Sequence, residues 1–319
     1  MKRIQAVLAA PCLGLAVSVG QAAAQTTAAV DNGEVIVVEA PGPELWRLHD
    51  ADSEVFILAT ISALPRGFRW NSRPVAAVLE RADRLYVSEP VSIGLGDAAR
   101  LLVTRRDALR NPDDARLEDY LSANLHRRLE VAAAGQGIAM EDLQDWRAYV
   151  AGGRVLGEAV EAANLESDGQ VLRETRRLAR RARVRVEELE LISAGALIDA
   201  LNQMPLGRDA PCLALQLDVL DVQLPALRAR AEAWAQGDVA TLREFSTLVD
   251  DTACLASLGG AGLSAGDIET RALGTWRTTL IRALDRPGTR LALVNADVLL
   301  KPGGLLQQLR AGGYAVEGP

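Results

Sequence analysis

Histidine and lysine are the residues that this chain almost lacks. Its 319 residues include two histidines, His49 and His126, and two lysines, Lys2 and Lys301. Aromatic residues make up 4% of the chain, so its core must be built mainly from leucine, valine and alanine. Arginine carries nearly all the positive charge, and the formal net charge is −7. This acidic balance argues against a nucleic-acid partner, because nucleic-acid binding calls for a basic surface.

Long hydrophobic runs are also scarce, with one exception at the N-terminus. Two basic residues precede an apolar run from Ile4 to Val19, and the small residues Ala22–Ala24 follow it. This pattern predicts a secretory signal peptide over residues 1–24. A membrane anchor is the alternative, but the run is shorter than the ~20 residues of a span and Pro11 interrupts it. We therefore expect an exported chain, periplasmic or secreted, with no transmembrane span after signal removal.

Signal removal makes the chain more acidic. It takes away two positive charges and no negative ones, so 33 basic residues face 42 acidic ones and the net charge becomes −9. Residues 25–42 are small and polar, with proline and glycine near their end. This composition predicts a flexible leader. Residues 43–319 are predicted to form a single domain.

Cysteine is rare as well. Cys12 falls within the predicted signal, which leaves Cys212 and Cys254. An even pair in an exported protein favours a disulfide, and two separate buried thiols are the alternative. Closing a loop of this length would stabilise the fold by roughly 3–4 kcal/mol in the chain-entropy model. A metal site on these cysteines is disfavoured, because no histidine lies near either one in the sequence.

Strand patterns are few and lie towards the two ends of the chain. Strands are predicted at Glu44–His49, Glu54–Thr60, Arg84–Glu89 and Arg290–Ala296, and helical patterns dominate between about residues 93 and 285. A short strand within that middle region is predicted at Val184–Leu191. The arrangement predicts an α+β fold: one mixed β-sheet built from N- and C-terminal strands and covered by a large, mostly helical middle region.

Two stretches carry a resemblance to a known family. The first runs from residue 44 to 90 and contains a strand that ends Ala59-Thr60-Ile61-Ser62. The second reads Asn-Ala-Asp-Val-Leu at 295–299, shortly before Pro-Gly-Gly-Leu-Leu at 302–306. Trp234, Gly237 and Asp238 also fit a Trp-x-x-Gly-Asp pattern. Together these stretches resemble the TraB/GumN family, which implies the same α+β fold.

The resemblance also shows what this chain has lost. Family members of the Tiki-like kind are taken to bind a divalent metal for peptide hydrolysis through histidines and glutamates at strand ends. Glu89 and Glu190 match the glutamate positions, whereas Ser62 and Val298 stand where the family has histidine. Asp297 lies beside the second lost position. If the strand continued through it, its side chain would point away from the face of residue 298.

Two hypotheses about the site follow. The first is a degenerate pseudoenzyme without metal or other cofactor, in which Ser62, Glu89, Glu190, Asp297 and Val298 are vestigial and the protein binds an envelope protein or small ligand. The second is a peptidase-like hydrolase of altered mechanism that uses Glu89 and Glu190. Glu89 would be the general base, and Ser62 or Asp297 would orient water or substrate. A divalent metal at a site the family does not use remains open under the second.

An arginine stripe provides a third, structural or interaction hypothesis. Arg173, Arg176, Arg177 and Arg180 fall at helical spacing and would form a basic face. Such a face suits an anionic ligand or an acidic partner. The alternative is a solvated helix face whose arginines pair with nearby glutamates, namely Glu174, Glu187 and Glu188.

Overall fold

The computed structural model describes residues 29–31, 34–36, 41–61, 63–89, 109–166, 169–191, 204–249, 253–254 and 265–319. Of residues 29–31, 34–36, 89 and 265–269, only the backbone is described. The chain divides into two units, residues 1–39 and 40–319. The predicted signal peptide and the position of Ser62 lie outside the described residues.

Both units contain paired β-strands. In the first, β1 (Ala29–Asp31) pairs antiparallel with β2 (Glu34–Ile36), inside the segment predicted to be a leader. The strands of the second unit are β3 (Leu45–His49), β4 (Ser53–Thr60), β5 (Leu64–Pro65), β6 (Ala82–Glu89), β7 (Leu165–Glu166), β8 (Arg185–Glu190), β9 (Gly288–Asn295) and β10 (Ala315–Glu317).

Helices occupy most of the remaining described chain. In order they are α1 (Arg73–Leu79), α2 (Leu117–Tyr120), α3 (Ala123–Gly135), α4 (Ala148–Ala162), α5 (Gln170–Ala182), α6 (Ala210–Asp218), α7 (Leu224–Gln236), α8 (Val239–Phe245), α9 (Ala265–Leu284), α10 (Ala296–Leu300) and α11 (Leu305–Ala311). Single 3₁₀ turns lie at Pro112–Asp114 and Met140–Asp142, and a π-helical turn at Val219–Gln223.

A mixed sheet joins the two ends of the chain. Among the described residues it has six strands in the order β10-β3-β4-β9-β6-β8. The four strands β4, β9, β6 and β8 are parallel, while β3 runs antiparallel to β4 and to β10. Strand β9, which arrives from the C-terminal end, therefore lies between two strands from the N-terminal end. The predicted α+β fold is confirmed.

Both faces of this sheet are covered. Neighbouring residues on a strand point to opposite faces, and Ile57 and Leu58 on β4 are both fully buried. The same holds for the run Leu291–Val294 on β9. A parallel strand covered on both faces reads as a continuous apolar run, which explains the sequence of β9. The helical middle has a second hydrophobic core, in which Leu129, Val155 and Leu213 are buried together.

Among the described residues, one helical stretch, Ala210–Gln236, is both long and apolar. By length and composition alone it could cross a membrane, with a mean hydropathy of 1.2 in its best window. Soluble core helices pass the same test. Here Leu213 and Trp234 are buried in the cores of the folded unit, and Cys212 forms the predicted disulfide with Cys254. We therefore describe the stretch as part of that unit.

Helix α4 approaches α6 so closely that Gly152 has no room for a side chain. A Cβ at Gly152 would lie 2.7 Å from Cδ1 of buried Leu213 and would clash with the amide of Gln216. Overpacking of this kind typically costs ~1–3 kcal/mol. We expect Gly152→Ala to lower the free energy of unfolding, as measured by urea titration.

Gly157 on the same helix is the matched control. A Cβ there would meet nothing within 4 Å. Because alanine is the better helix former, Gly157→Ala should leave stability unchanged or raise it by up to ~1 kcal/mol. Equal effects of the two substitutions would contradict the packing described here.

Glu54 should contribute to stability in a pH-dependent manner. Burial acts to raise the pKa of Glu54, but hydrogen bonds from Arg47 and Thr289 and the charge of Arg81 outweigh it, so the pKa lies below its ordinary value of 4.5. A carboxyl with a lowered folded-state pKa contributes stability above its unfolded pKa, and that contribution is lost as the pH falls through the folded-state value. Glu54→Gln should therefore destabilise the protein at pH 7 and flatten its loss of stability below pH 4.5.

The measurement is the urea midpoint of both proteins between pH 7 and pH 3. Glu80, which is exposed at the end of α1, supplies the control Glu80→Gln. If the urea midpoint of Glu54→Gln fell as steeply below pH 4.5 as that of the unmodified protein, the result would contradict this role.

Candidate functional site

Four parallel strands end at the same side of the sheet, which we call the carboxyl edge. It is formed by the last residues of β4, β9, β6 and β8, namely Thr60, Asn295, Glu89 and Glu190. Thr60 is the register partner of Asn295, and Glu89 is the register partner of Glu190. Ligand sites in sheets of parallel strands commonly form at such an edge. The two glutamate positions of the resemblance are thus neighbours here.

The predicted site residues differ in how much the structure describes of them. Glu190 is exposed, whereas only the backbone of Glu89 is described. Ser62 lies two residues beyond the end of β4 and outside the described residues. The structure therefore places the strand ends together, and it gives no contacts between the side chains of Ser62, Glu89 and Glu190.

The chain around Asp297 is helical, unlike the strand predicted to run through Ala296. Strand β9 ends at Asn295, whose side chain accepts a hydrogen bond from the Asp297 amide at 2.8 Å and so caps α10. Successive helical residues are rotated by about 100°, so Asp297 and Val298 do not point to opposite faces. The Asp297 side chain is 43% exposed, while Val298 packs against the main core.

Asp297 is held by two donors that the sequence did not indicate. A guanidinium nitrogen of Arg230 donates to its Oδ1 at 2.8 Å, and the Ser246 hydroxyl donates to the same oxygen at 2.7 Å. Arg230 is 4% exposed, and its guanidinium lies 4.3 Å above the ring of Phe245. Its Nε is buried, and no described residue forms a hydrogen bond with it. A buried arginine is therefore anchored beside Val298, at the second position where the resemblance implies histidine.

This arrangement is poorly suited to a divalent metal. Val298 offers no donor atom, and the Asp297 carboxylate is already neutralised by a buried cation. A second cation there would be repelled by the guanidinium, and repulsion is strong where water is excluded. Among the described residues, no cluster of three or more His, Cys, Asp or Glu could hold a metal ion.

The two histidines lie away from the carboxyl edge. His49 is the register partner of Glu54 near the start of β4, so it lies at the opposite edge of the sheet. Its Nε2 is 3.1 Å from Glu317. His126 is on α3, with its Nε2 3.2 Å from Nε2 of Gln144. Neither matches the position of a family histidine.

The Trp-x-x-Gly-Asp pattern forms the helix end and restart that the resemblance implies. Gly237 adopts a φ of +76° after α7, and the Asp238 carboxylate accepts from the Thr241 amide at 3.1 Å to cap α8. The indole of Trp234 donates to the Ala59 carbonyl at 2.7 Å. This bond ties the helix pair to the end of β4.

The arginine stripe on α5 is partly neutralised. Arg173 pairs with Glu166 and Arg177 with Glu174, while Arg176 pairs with Glu188 at 2.8 Å. Glu187, expected as a partner of the stripe, pairs with Arg84 instead. Arg180 is exposed, and no carboxylate of the described residues forms an ion pair with it.

Comparison with known proteins identifies a family. The family model described as the TraB/PrgY/gumN family matches residues 44–318, nearly the whole chain. No curated protein and no solved structure matches.

The ion pair of Arg230 should be needed for stability at this edge. Asp297→Asn would leave a buried guanidinium without its carboxylate, which costs ~1–3 kcal/mol once the partial exposure of Asp297 is considered. We expect this loss in the free energy of unfolding from urea titration. The control Asp285→Asn alters an exposed carboxylate and should change it by less than ~0.5 kcal/mol. Equal values for the two variants would refute the anchoring role.

Proposed function

The chain belongs to the TraB/PrgY/gumN family, and we propose that it is an exported member that binds a ligand in the cell envelope in place of metal-dependent hydrolysis. The observation that carries the proposal is the ion pair between Arg230 and Asp297 at the carboxyl edge. It puts a fixed protein cation next to the position where the family has a metal-binding histidine.

Metal-dependent hydrolysis needs ligands that this edge no longer offers. A catalytic transition-metal site uses about three protein donors and keeps one position open for water. Serine at position 62 is a poor donor for such metals, and valine at position 298 is none. Asp297 cannot replace the histidine without giving up Arg230, which would leave a buried charge unpaired.

The rest of the edge keeps features of a polar binding site. Glu190 is exposed at the end of its strand, and its register partner Glu89 comes from the neighbouring strand. The partner would be an envelope protein or a small ligand. Export is supported by the signal-like pattern over residues 1–24, and the disulfide between Cys212 and Cys254 suits an oxidising compartment.

A hydrolase of altered mechanism is the second candidate. Its support is the direct register pairing of Glu89 with Glu190, which brings two carboxylate-bearing residues to adjacent strand ends. One of them would act as general base towards water. Under this alternative, both Glu89→Gln and Glu190→Gln should abolish hydrolysis of a quenched fluorescent peptide.

Metal content and affinity test the proposed loss of the metal site, while the peptide assay tests the second candidate. The exported, disulfide-bonded protein would be studied by elemental analysis and by calorimetric titration with Mn²⁺, Co²⁺ and Zn²⁺. We expect no stoichiometric site, and Glu89→Gln and Glu190→Gln should titrate like the unmodified protein. A stoichiometric site that Glu89→Gln weakens would overturn the proposal and favour a hydrolase. Mass spectrometry of the same sample tests export, since cleavage after Ala24 leaves Gln25 as the first residue.

A further inference from the structure

A cavity of about 650 Å³ lies between the segment 67–72 and helix α5. The segment contributes Arg69 and Trp70 to its lining, and the helix contributes Arg173, Arg177 and Arg180. We call this space the arginine cavity. Neither Arg230 nor Asp297 lines it.

The charge of the arginine cavity is opposite to that of the chain. Four arginines line it against one carboxylate, Glu174, a surplus of three positive charges. The whole chain carries a net charge of −7. A basic cavity in an acidic protein focuses a positive potential locally and attracts anions.

Two of the four guanidinium groups are not committed to carboxylates. Arg173 pairs with Glu166 and Arg177 with Glu174. Arg69 and Arg180 are exposed, and neither forms an ion pair with any other described residue. Because one comes from the segment and the other from the helix, they approach a ligand from different sides. Their donors are available to it.

The tryptophan in the cavity is held in place. Trp70 lies edge-on to Trp234, with ring centroids 5.2 Å apart, and the buried indole of Trp234 is fixed by the Ala59 carbonyl. The chain just before the segment also contacts α5, since Gln170 donates to the Pro65 carbonyl at 3.5 Å. A fixed indole offers an apolar surface against which a planar group can pack.

We propose that the arginine cavity binds an organic phosphate, whose phosphate group is held by Arg69 and Arg180 and whose planar or apolar body packs against Trp70. One guanidinium group can donate two parallel, charge-assisted hydrogen bonds to the oxygens of a phosphate. A tetrahedral phosphate presents oxygens in several directions and can meet arginines from two elements. A carboxylate, with two oxygens in one plane, fits a single guanidinium better.

The test is calorimetric titration of the mature chain with phenyl phosphate, with inorganic phosphate and benzoate as comparison probes. Phenyl phosphate should bind with a stoichiometry of one. It should bind more tightly than inorganic phosphate, because its ring packs against Trp70. It should also bind more tightly than benzoate, because a tetrahedral phosphate can contact both arginines and a planar carboxylate cannot. Added salt should weaken it. Arg69→Gln combined with Arg180→Gln should lower the affinity at least about tenfold. Because both arginines are exposed, thermal unfolding should be unchanged.

Arg228→Gln is the matched control, since Arg228 is exposed on α7 and does not line the cavity. It should bind phenyl phosphate like the unmodified protein. The variants Glu89→Gln and Glu190→Gln should also bind normally, so this result does not depend on the proposed loss of hydrolysis. The proposal is overturned by an absence of saturable binding at millimolar phenyl phosphate, by benzoate binding as tightly, or by the double variant binding as the control does.

Sedimentation with lipid vesicles identifies the source of the phosphate. If the ligand is a lipid headgroup, the chain should sediment with phosphatidylglycerol vesicles and not with phosphatidylcholine, and the double variant should remain in solution. Binding of phenyl phosphate without sedimentation would assign the cavity to a free phosphate ester.

Discussion

The pairing of β4 with β9 is the constraint on which the rest of the fold depends. It is parallel, and it joins residues more than 200 positions apart, from Ser53 with Gly288 to Thr60 with Asn295. Contacts of such separation close a long loop and are costly in chain entropy, so they must bury much apolar surface to be stable. Both strands do so, because both of their faces are covered. The same pairing fixes the direction of β6 and β8 and so creates the carboxyl edge.

Arg230 imposes a second constraint at that edge. A buried guanidinium is tolerated only when a carboxylate and other polar or aromatic groups compensate for the lost water. Asp297 supplies the charge and Phe245 supplies a ring face. Arg230 lies on α7, Phe245 on α8 and Asp297 on α10, so one buried charge links three helices at the end of β9. The carboxylate of Asp297, next to Val298, therefore already has a structural role.

Local patterns predicted much of this fold and little of the site. Strands β4 and β6 were expected within two residues of their observed starts, and the disulfide followed from an even cysteine pair. The strand order could not be derived, because it depends on contacts distant in sequence. The start of α10 could have been predicted, since asparagine, here Asn295, is a favoured residue at helix N-caps. The burial of Arg230 could not be predicted, because Arg228, two residues earlier on the same helix, is the same residue type and is exposed.

Proline explains an irregularity in the helical stretch Ala210–Gln236. A wide π-helical turn occupies Val219–Gln223 just before Pro225 and separates α6 from α7. Proline has no amide hydrogen and its ring crowds the preceding turn, so a regular helix cannot continue through it unchanged. The wide turn lets the stretch continue and sets the rotation of α7 relative to α6. Since Arg230 and Trp234 both lie on α7, this local adjustment also decides which side chains reach Asp297 and Ala59.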